Sequence, residues 1–105
     1  MIMLFTLSLV MGCTRTDKVG DILANPAQYE GKEVNINGYV GNTFWLSILN
    51  RGAFELGDGS GTIWIVTNQP PPQKGAQVSV RGNVRPAFTL GDRSLGTIIE
   101  ETKRN

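Results

Sequence analysis

Histidine is absent from the 105 residues and cysteine occurs once. The first absence excludes Ser-His and Cys-His nucleophile pairs, imidazole acid–base chemistry and the His-based zinc and haem sites. With a single cysteine there is no intrachain disulfide, so the core must hold by packing alone. Charge is sparse and balanced: ten Lys and Arg against nine Asp and Glu give a formal net charge of +1, without the basic excess of a dedicated duplex-DNA binder. No apolar run reaches the roughly 18 residues of a membrane-spanning helix. What is abundant is turn chemistry. Thirteen Gly and five Pro point to short strands rather than long helices.

The first segment reads as an address. Met1 to Met11 is apolar except for Thr6 and Ser8 and runs into Gly12-Cys13, which suits a secretory h-region of about 7–15 residues before a small-residue cleavage site. Val10-Met11-Gly12-Cys13 resembles the lipobox of bacterial lipoproteins, with an aliphatic residue, a small residue and a cysteine in that order. The resemblance implies a signal peptide over residues 1–12, cleavage before Cys13, and lipidation of its sulfur with palmitate-type chains. It also implies residence on the exported face of a membrane in the bacterial cell envelope. Thr14 follows Cys13 where an Asp would imply inner-membrane retention, so an outer-membrane address stays open. The alternative makes Cys13 an ordinary buried thiol and the first eleven residues a core strand. On the lipoprotein reading, residues 13–18 are a short tether and 19–105 the folded domain.

Val19, Ile22 and Leu23 fall on one face of a short helix, ending near Asn25-Pro26. Asn25 suits a cap for a second turn begun by Pro26 and closed by Gly31. Two turns are too few to be stable alone, so this segment is expected to plug an end of the core. From Lys32 the period becomes two: Val34, Ile36, Gly38 and Val40 face one way, Asn35, Asn37 and Tyr39 the other. The pattern V-x-[IV]-x-G-x-V returns from Val78 to Val84. A glycine inside a strand marks a bulge or sharp bend, and two such bends predict a sheet that closes on itself.

Between the copies, Ala53–Leu56, the GDGSG segment Gly57–Gly61 and Thr62–Thr67 predict strand, tight turn and strand. GDGSG is no phosphate cradle, because β-branched residues rather than a helix follow it. Asp58 alone is too little for a calcium loop, so neither a metal nor a cofactor is expected. Pro70-Pro71-Pro72 predicts an extended linker, the last strand runs from about Leu95 to Glu101, and residues 103–105 form a frayed tail.

These five strands resemble the oligonucleotide/oligosaccharide-binding (OB) fold over about Lys32 to Glu101. The most specific phrase is Phe54 to Ile65, which looks like the second and third strands of the anticodon-binding-type branch. The fold class is therefore all-β, a small five-stranded OB-like Greek-key barrel with short N-terminal helical turns. The N-terminal turns stand in for the helix that the fold normally carries between strands three and four. The resemblance implies a ligand on strands two and three, between the first-to-second and fourth-to-fifth connections.

Both connections are expected to be long loops. The first, residues 41–52, carries Phe44, Trp45, Leu46, Ile48, Leu49 and Arg51; the second, residues 85–94, carries Arg85, Phe88, Leu90 and Arg93. Aromatic and Arg residues so gathered suit single-stranded nucleic acid or a polysaccharide. Alternation turns Phe44, Leu46 and Ile48 inward, and leaves Trp45 either an exposed platform or a packed loop residue. On strands two and three, Ala53, Glu55, Thr62, Trp64 and Val66 face out, so Trp64 is the central stacking candidate, with Arg81 nearby. The ligand-binding candidates are Trp45, Arg51, Trp64, Arg81, Arg85, Phe88 and Arg93. The basic excess is C-terminal, six basic against three acidic residues from Lys74 onward.

The leading expectation is a membrane-tethered, non-catalytic binding module for nucleic acid or another elongated polymer. The alternative is a cell-envelope protein–protein interaction module, in which the same apolar rim meets a partner protein. A glycosidase pair finds no support, because Glu100 and Glu101 point to opposite faces and Glu55 has no placed partner.

Overall fold

In the computed structural model, which describes residues 16–105, two short helices precede five strands: α1 (Val19–Ala24), α2 (Pro26–Tyr29), β1 (Glu33–Leu46), β2 (Arg51–Gly57), β3 (Thr62–Thr67), β4 (Gln77–Leu90) and β5 (Arg93–Arg104). The strands close into a barrel in the order β1-β2-β3-β5-β4, with β4 returning to β1 and only β3 and β5 running parallel. This is the five-stranded barrel expected from the alternating pattern. The lipidation motif, Cys13 included, lies outside the described residues. Of the segment assigned to the tether, Asp17 is already docked on β1. Its N–H donates to the Asn35 carbonyl at 2.8 Å, and its Oδ2 accepts the Asn35 N–H at 3.1 Å.

Two glycines let the long strands bend. Along β1, Val34, Ile36, Gly38 and Val40 are buried while Asn37 and Tyr39 are exposed. At Tyr39 the strand leaves its partner Gln77 on β4 and takes up Gly57 on β2. Gly38 sits at this exchange, and a Cβ there would lie 2.4 Å from the Gly57 carbonyl oxygen. Gly82 plays the same part in β4, where the register with β5 slips between Arg81 and Gly82. A side chain at either position would hold the crossing backbones apart.

The barrel interior is filled by Val34, Ile36, Phe54, Leu56, Ile63, Ile65, Val80, Val84 and Ile99. Val19 and Ile22 of α1 join the same cluster with no exposed surface, so the helix closes one end of the barrel. Burying each such side chain contributes about 1.5–3 kcal/mol, far more than six helical residues gain from propensity. Asn25 differs from its expected role: its Nδ2 donates to the Asp21 carbonyl at 3.2 Å, closing α1 rather than capping α2. Gly31, with φ of 75°, ends the helical segment as expected. The proline linker joins β3 to β4 without a helix.

Polar groups close the barrel near the end of β3. Glu101 and Arg104 form a two-pronged pair at 2.8 and 2.9 Å, and the Thr67 hydroxyl donates to Glu101 at 2.7 Å. Arg104 also donates to the Pro70 carbonyl at 3.1 Å and lies over the Phe54 ring at 5.2 Å. The expected frayed tail is thus corrected. β5 runs to Arg104, and Asn105 exchanges backbone hydrogen bonds with Ser79 at 2.9 and 3.1 Å. Composition marked these residues as a polar end; the neighbouring β4 start offers them a strand partner.

A second correction concerns the two long connections. Both are hairpin arms, not loops: β1 continues to Leu46 and β2 starts at Arg51, while β4 continues to Leu90 and β5 starts at Arg93. Only residues 47–50 and 91–92 turn, the second through Gly91 at φ 64°.

Candidate functional site

The outer face of β2, β3 and β5 is set by their register. Ala53 pairs with Val66, Glu55 with Trp64, Trp64 with Ile98, and Val66 with Glu100. Inward residues alternate with these, so the outward assignment of Ala53, Glu55, Trp64 and Val66 holds. Yet Ala53, Val66 and Ile98 have no exposed surface. They form the floor of a second apolar cluster with Leu90, and Phe44, Leu46, Trp64, Phe88 and Leu95 pack against it.

The two arms build that cover. A register shift between Val40 and Thr43 pairs Phe44 with Ala53, turning Phe44 onto the outside of the sheet rather than into the barrel. Its ring meets Trp64 edge-on, with centroids 5.4 Å apart and planes at 66°. The arm tips also touch: a Cβ at Gly91 would lie 3.1 Å from Leu46 Cδ1 and 3.8 Å from Leu49 Cδ1. The expectation that Phe44, Leu46 and Ile48 share one inward face therefore fails in two ways. Phe44 and Leu46 cover the outer cluster, and Ile48 in the turn is 96% exposed, because the period of two ends where the chain reverses.

Arginines ring this cluster. The Arg93 guanidinium lies 4.4 Å from the Phe44 centroid, and that of Arg51 lies 5.8 Å from the Phe88 centroid. Arg51 also reaches Glu100 at 3.1 Å, and Arg85 reaches the other oxygen of the same carboxylate at 3.0 Å. The Arg85 side chain is still 55% exposed, so these pairs are weak, about 0–1 kcal/mol each.

Of the seven sequence-predicted ligand-binding residues, five come together here: Arg51, Trp64, Arg85, Phe88 and Arg93. Trp45 does not join them. It pairs with Gly52 and lies over it, with ring atom Cε3 2.6 Å from where a Gly52 Cβ would be, on the face opposite Phe44. Arg81 is also apart, four residues before Arg85, paired with Asn35 and Lys103 in a polar depression that Ser79 and Asn105 complete. Phe44 and Glu100 belong to the cluster although the local sequence does not mark them. Alternation placed Phe44 in the core, since a register shift leaves no mark in the local pattern. Glu100 was legible only as a residue facing away from Glu101, which it does.

The glycine-rich turn between β2 and β3 is occupied by its own carboxylate. Asp58 accepts from the N–H of Ser60 at 2.9 Å, the Ser60 hydroxyl at 2.6 Å and the N–H of Val19 at 3.0 Å. Ser60 Oγ in turn accepts the Gly20 N–H at 2.9 Å. Partial burial pushes the Asp58 carboxyl up, but the hydrogen bonds from Ser60, Val19 and Gly61 outweigh it and hold it below the usual carboxylate range. The turn thus clasps α1 to the barrel, and the N–H groups of Asp58, Ser60, Val19 and Gly20 are engaged within the protein. Among the described residues, no three Cys, His, Asp or Glu side chains gather as metal ligands, and no helix is long and apolar enough to cross a membrane.

No protein-family model and no curated protein matches the chain. Solved structures do. The asparaginyl-tRNA synthetase from Pyrococcus horikoshii, complexed with asparaginyl-adenylate, superposes with a TM-score of 0.68 at 16% identity, over 89% of this chain and 22% of that one. The fold is an OB fold. A second OB-fold likeness is a Replication Protein A heterotrimer bound to ssDNA, with a TM-score of 0.53 at 17% identity, over 70% of this chain and 55% of that one. The chain spans about a fifth of the synthetase and just over half of the Replication Protein A chain. The aromatic–arginine cluster lies on the outer face of strands β2, β3 and β5 and is flanked by the two arms.

Proposed function

We propose that this chain is a non-catalytic module that binds single-stranded nucleic acid on the outer face of β2, β3 and β5. The observation that carries the reading is the clustering there of Phe44, Trp64 and Phe88 with Arg51, Arg85 and Arg93. Rings offer stacking to bases of any sequence, and guanidinium groups follow the phosphates. Likeness in fold to a Replication Protein A chain whose heterotrimer binds ssDNA supports it. Because the arms already pack on Ala53 and Val66, a strand lies along the rim formed by Trp64, Phe88 and the arginines rather than in an open cleft. Affinity is therefore modest and falls with salt.

The module is held at a bacterial envelope membrane by lipid on Cys13. Support for this comes from the Val10-Met11-Gly12-Cys13 motif.

Fluorescence anisotropy with labelled oligothymidylate and oligouridylate across a salt series tests the binding reading; no binding at low salt retires it. Detergent partitioning of wild type against Cys13→Ser tests the anchor, and equal partitioning of both retires that part. A protein partner is the second reading, favoured by Ile48 and Leu49 exposed together at the β1–β2 tip. Site-specific crosslinking from Ile48 in cells that recovers one defined envelope protein would support it.

A further inference from the structure

We propose that Glu100 is an intramolecular competitor for phosphate, holding with its carboxylate the pair of guanidinium groups that a nucleic-acid strand would otherwise engage. This inference rests on the binding reading above. Arg51 stands on β2 and Arg85 on β4, with β3 and β5 between them in the sheet. At about 4.8 Å per strand the path between them along the curved sheet is roughly 14 Å, and the two side chains converge from different strands on one anion. Glu100 is that anion, and it gives one oxygen to each, Oε2 to Arg51 at 3.1 Å and Oε1 to Arg85 at 3.0 Å.

A phosphodiester carries the same single charge on two non-bridging oxygens, so it fits the same pair of donors. The floor beside Glu100 is apolar and fully buried, with Val66 paired to it and Ile98 two residues before it on β5. Arg51 is steadied over Phe88. The arrangement is half-exposed, the Glu100 side chain at 30%, Arg51 at 33% and Arg85 at 55%. Such pairs are weak and screened by salt, so an incoming phosphate displaces the carboxylate readily but then lies beside an uncompensated negative charge. Glu100 thereby lowers affinity and makes the salt dependence shallower than three rim arginines would give on their own.

The test compares wild type, Glu100→Gln and Asp21→Asn against labelled oligothymidylate by anisotropy across a salt series. Glu100→Gln keeps the shape and removes the charge. Asp21→Asn changes the net charge equally on the exposed face of α1, away from the site. Glu100→Gln is expected to bind about three- to tenfold tighter at low salt, with a log–log salt slope steeper by about 0.7 for each further phosphate engaged. Asp21→Asn is expected to bind as wild type, and the gain should vanish when Arg51→Gln and Arg85→Gln are added to Glu100→Gln.

Wild-type binding with no gain in Glu100→Gln overturns this proposal alone. So does an equal gain in Asp21→Asn, which would make the effect one of net charge. Absence of binding in both wild type and Glu100→Gln overturns the binding reading and the competitor with it, whereas binding by Glu100→Gln only would support both. Glu100→Thr, which suits a strand, repeats the comparison if Glu100→Gln does not fold.

Discussion

Gly82 passes directly beneath Glu100: a Cβ on Gly82 would stand 2.2 Å from the Glu100 carbonyl oxygen and 2.7 Å from Ile99 Cγ2. The obstruction is mainly backbone, so no rotamer change relieves it, and β4 and β5 would have to part where the barrel closes. Gly82→Ala is therefore expected to destabilise the fold by about 2–4 kcal/mol. Equilibrium urea unfolding followed by tryptophan fluorescence measures this, and a loss below about 0.5 kcal/mol would count against the close crossing.

Arg104→Ala is expected to cost about 3 kcal/mol. It would strand the Glu101 carboxylate, whose side chain is 4% exposed, with only the Thr67 hydroxyl for company. Thermal unfolding at neutral pH checks it. Arg104→Met, which keeps an apolar side chain but removes the guanidinium, should lose nearly as much, because the stranded charge and not the packing dominates.

Asp58 predicts an acid effect of definite sign. Its folded-state carboxyl lies below the usual range, so its contribution is complete above the unfolded-state value of about 3.9 and is lost as pH falls through the lower folded-state value. The hydrogen bond it accepts from the Val19 N–H at the start of α1 contributes about 0.5–1 kcal/mol, since the carboxylate remains largely in water. The stability gap between wild type and Asp58→Ala should be constant from pH 7 to about 5 and shrink below about 4. Urea titrations across that range measure it; a gap that grew in acid would contradict the hydrogen bonds.

The two tryptophans separate the rim from the rest. Trp64→Leu retains apolar contact and removes the stacking ring, and it is expected to weaken oligothymidylate binding at least about fivefold. Trp45→Phe lies on the other face of its arm and should leave affinity unchanged. Anisotropy on both variants decides: equal losses would place the ligand elsewhere.

Much of this architecture was legible before any coordinates. Alternation named the inward residues of β1 and β4, and the glycines interrupting it marked both bends, because a period of two and a missing Cβ are local properties. The same reasoning placed Val19 and Ile22 against the core. The arms were not legible. Whether residues 41–52 form a loop or paired strands depends on partners across the turn, such as Ala53 for Phe44, and the face that Phe44 takes depends on a register shift that no alternation records. The missed role of residues 103–105 has the same origin, since a polar end becomes a strand when a β4 backbone with unpaired groups lies beside it.

Composition and period act residue by residue, and they suffice to specify a small closed sheet without histidine or disulfide chemistry. The make-up of the aromatic–arginine face is a product of the assembled barrel. Tertiary structure brought Arg51 and Arg85 from distant strands onto one carboxylate, sent Trp45 and Arg81 away, and folded two arms over Ala53 and Val66. Convergence across a barrel depends on strand order and register, and both are set by the closing of the whole sheet.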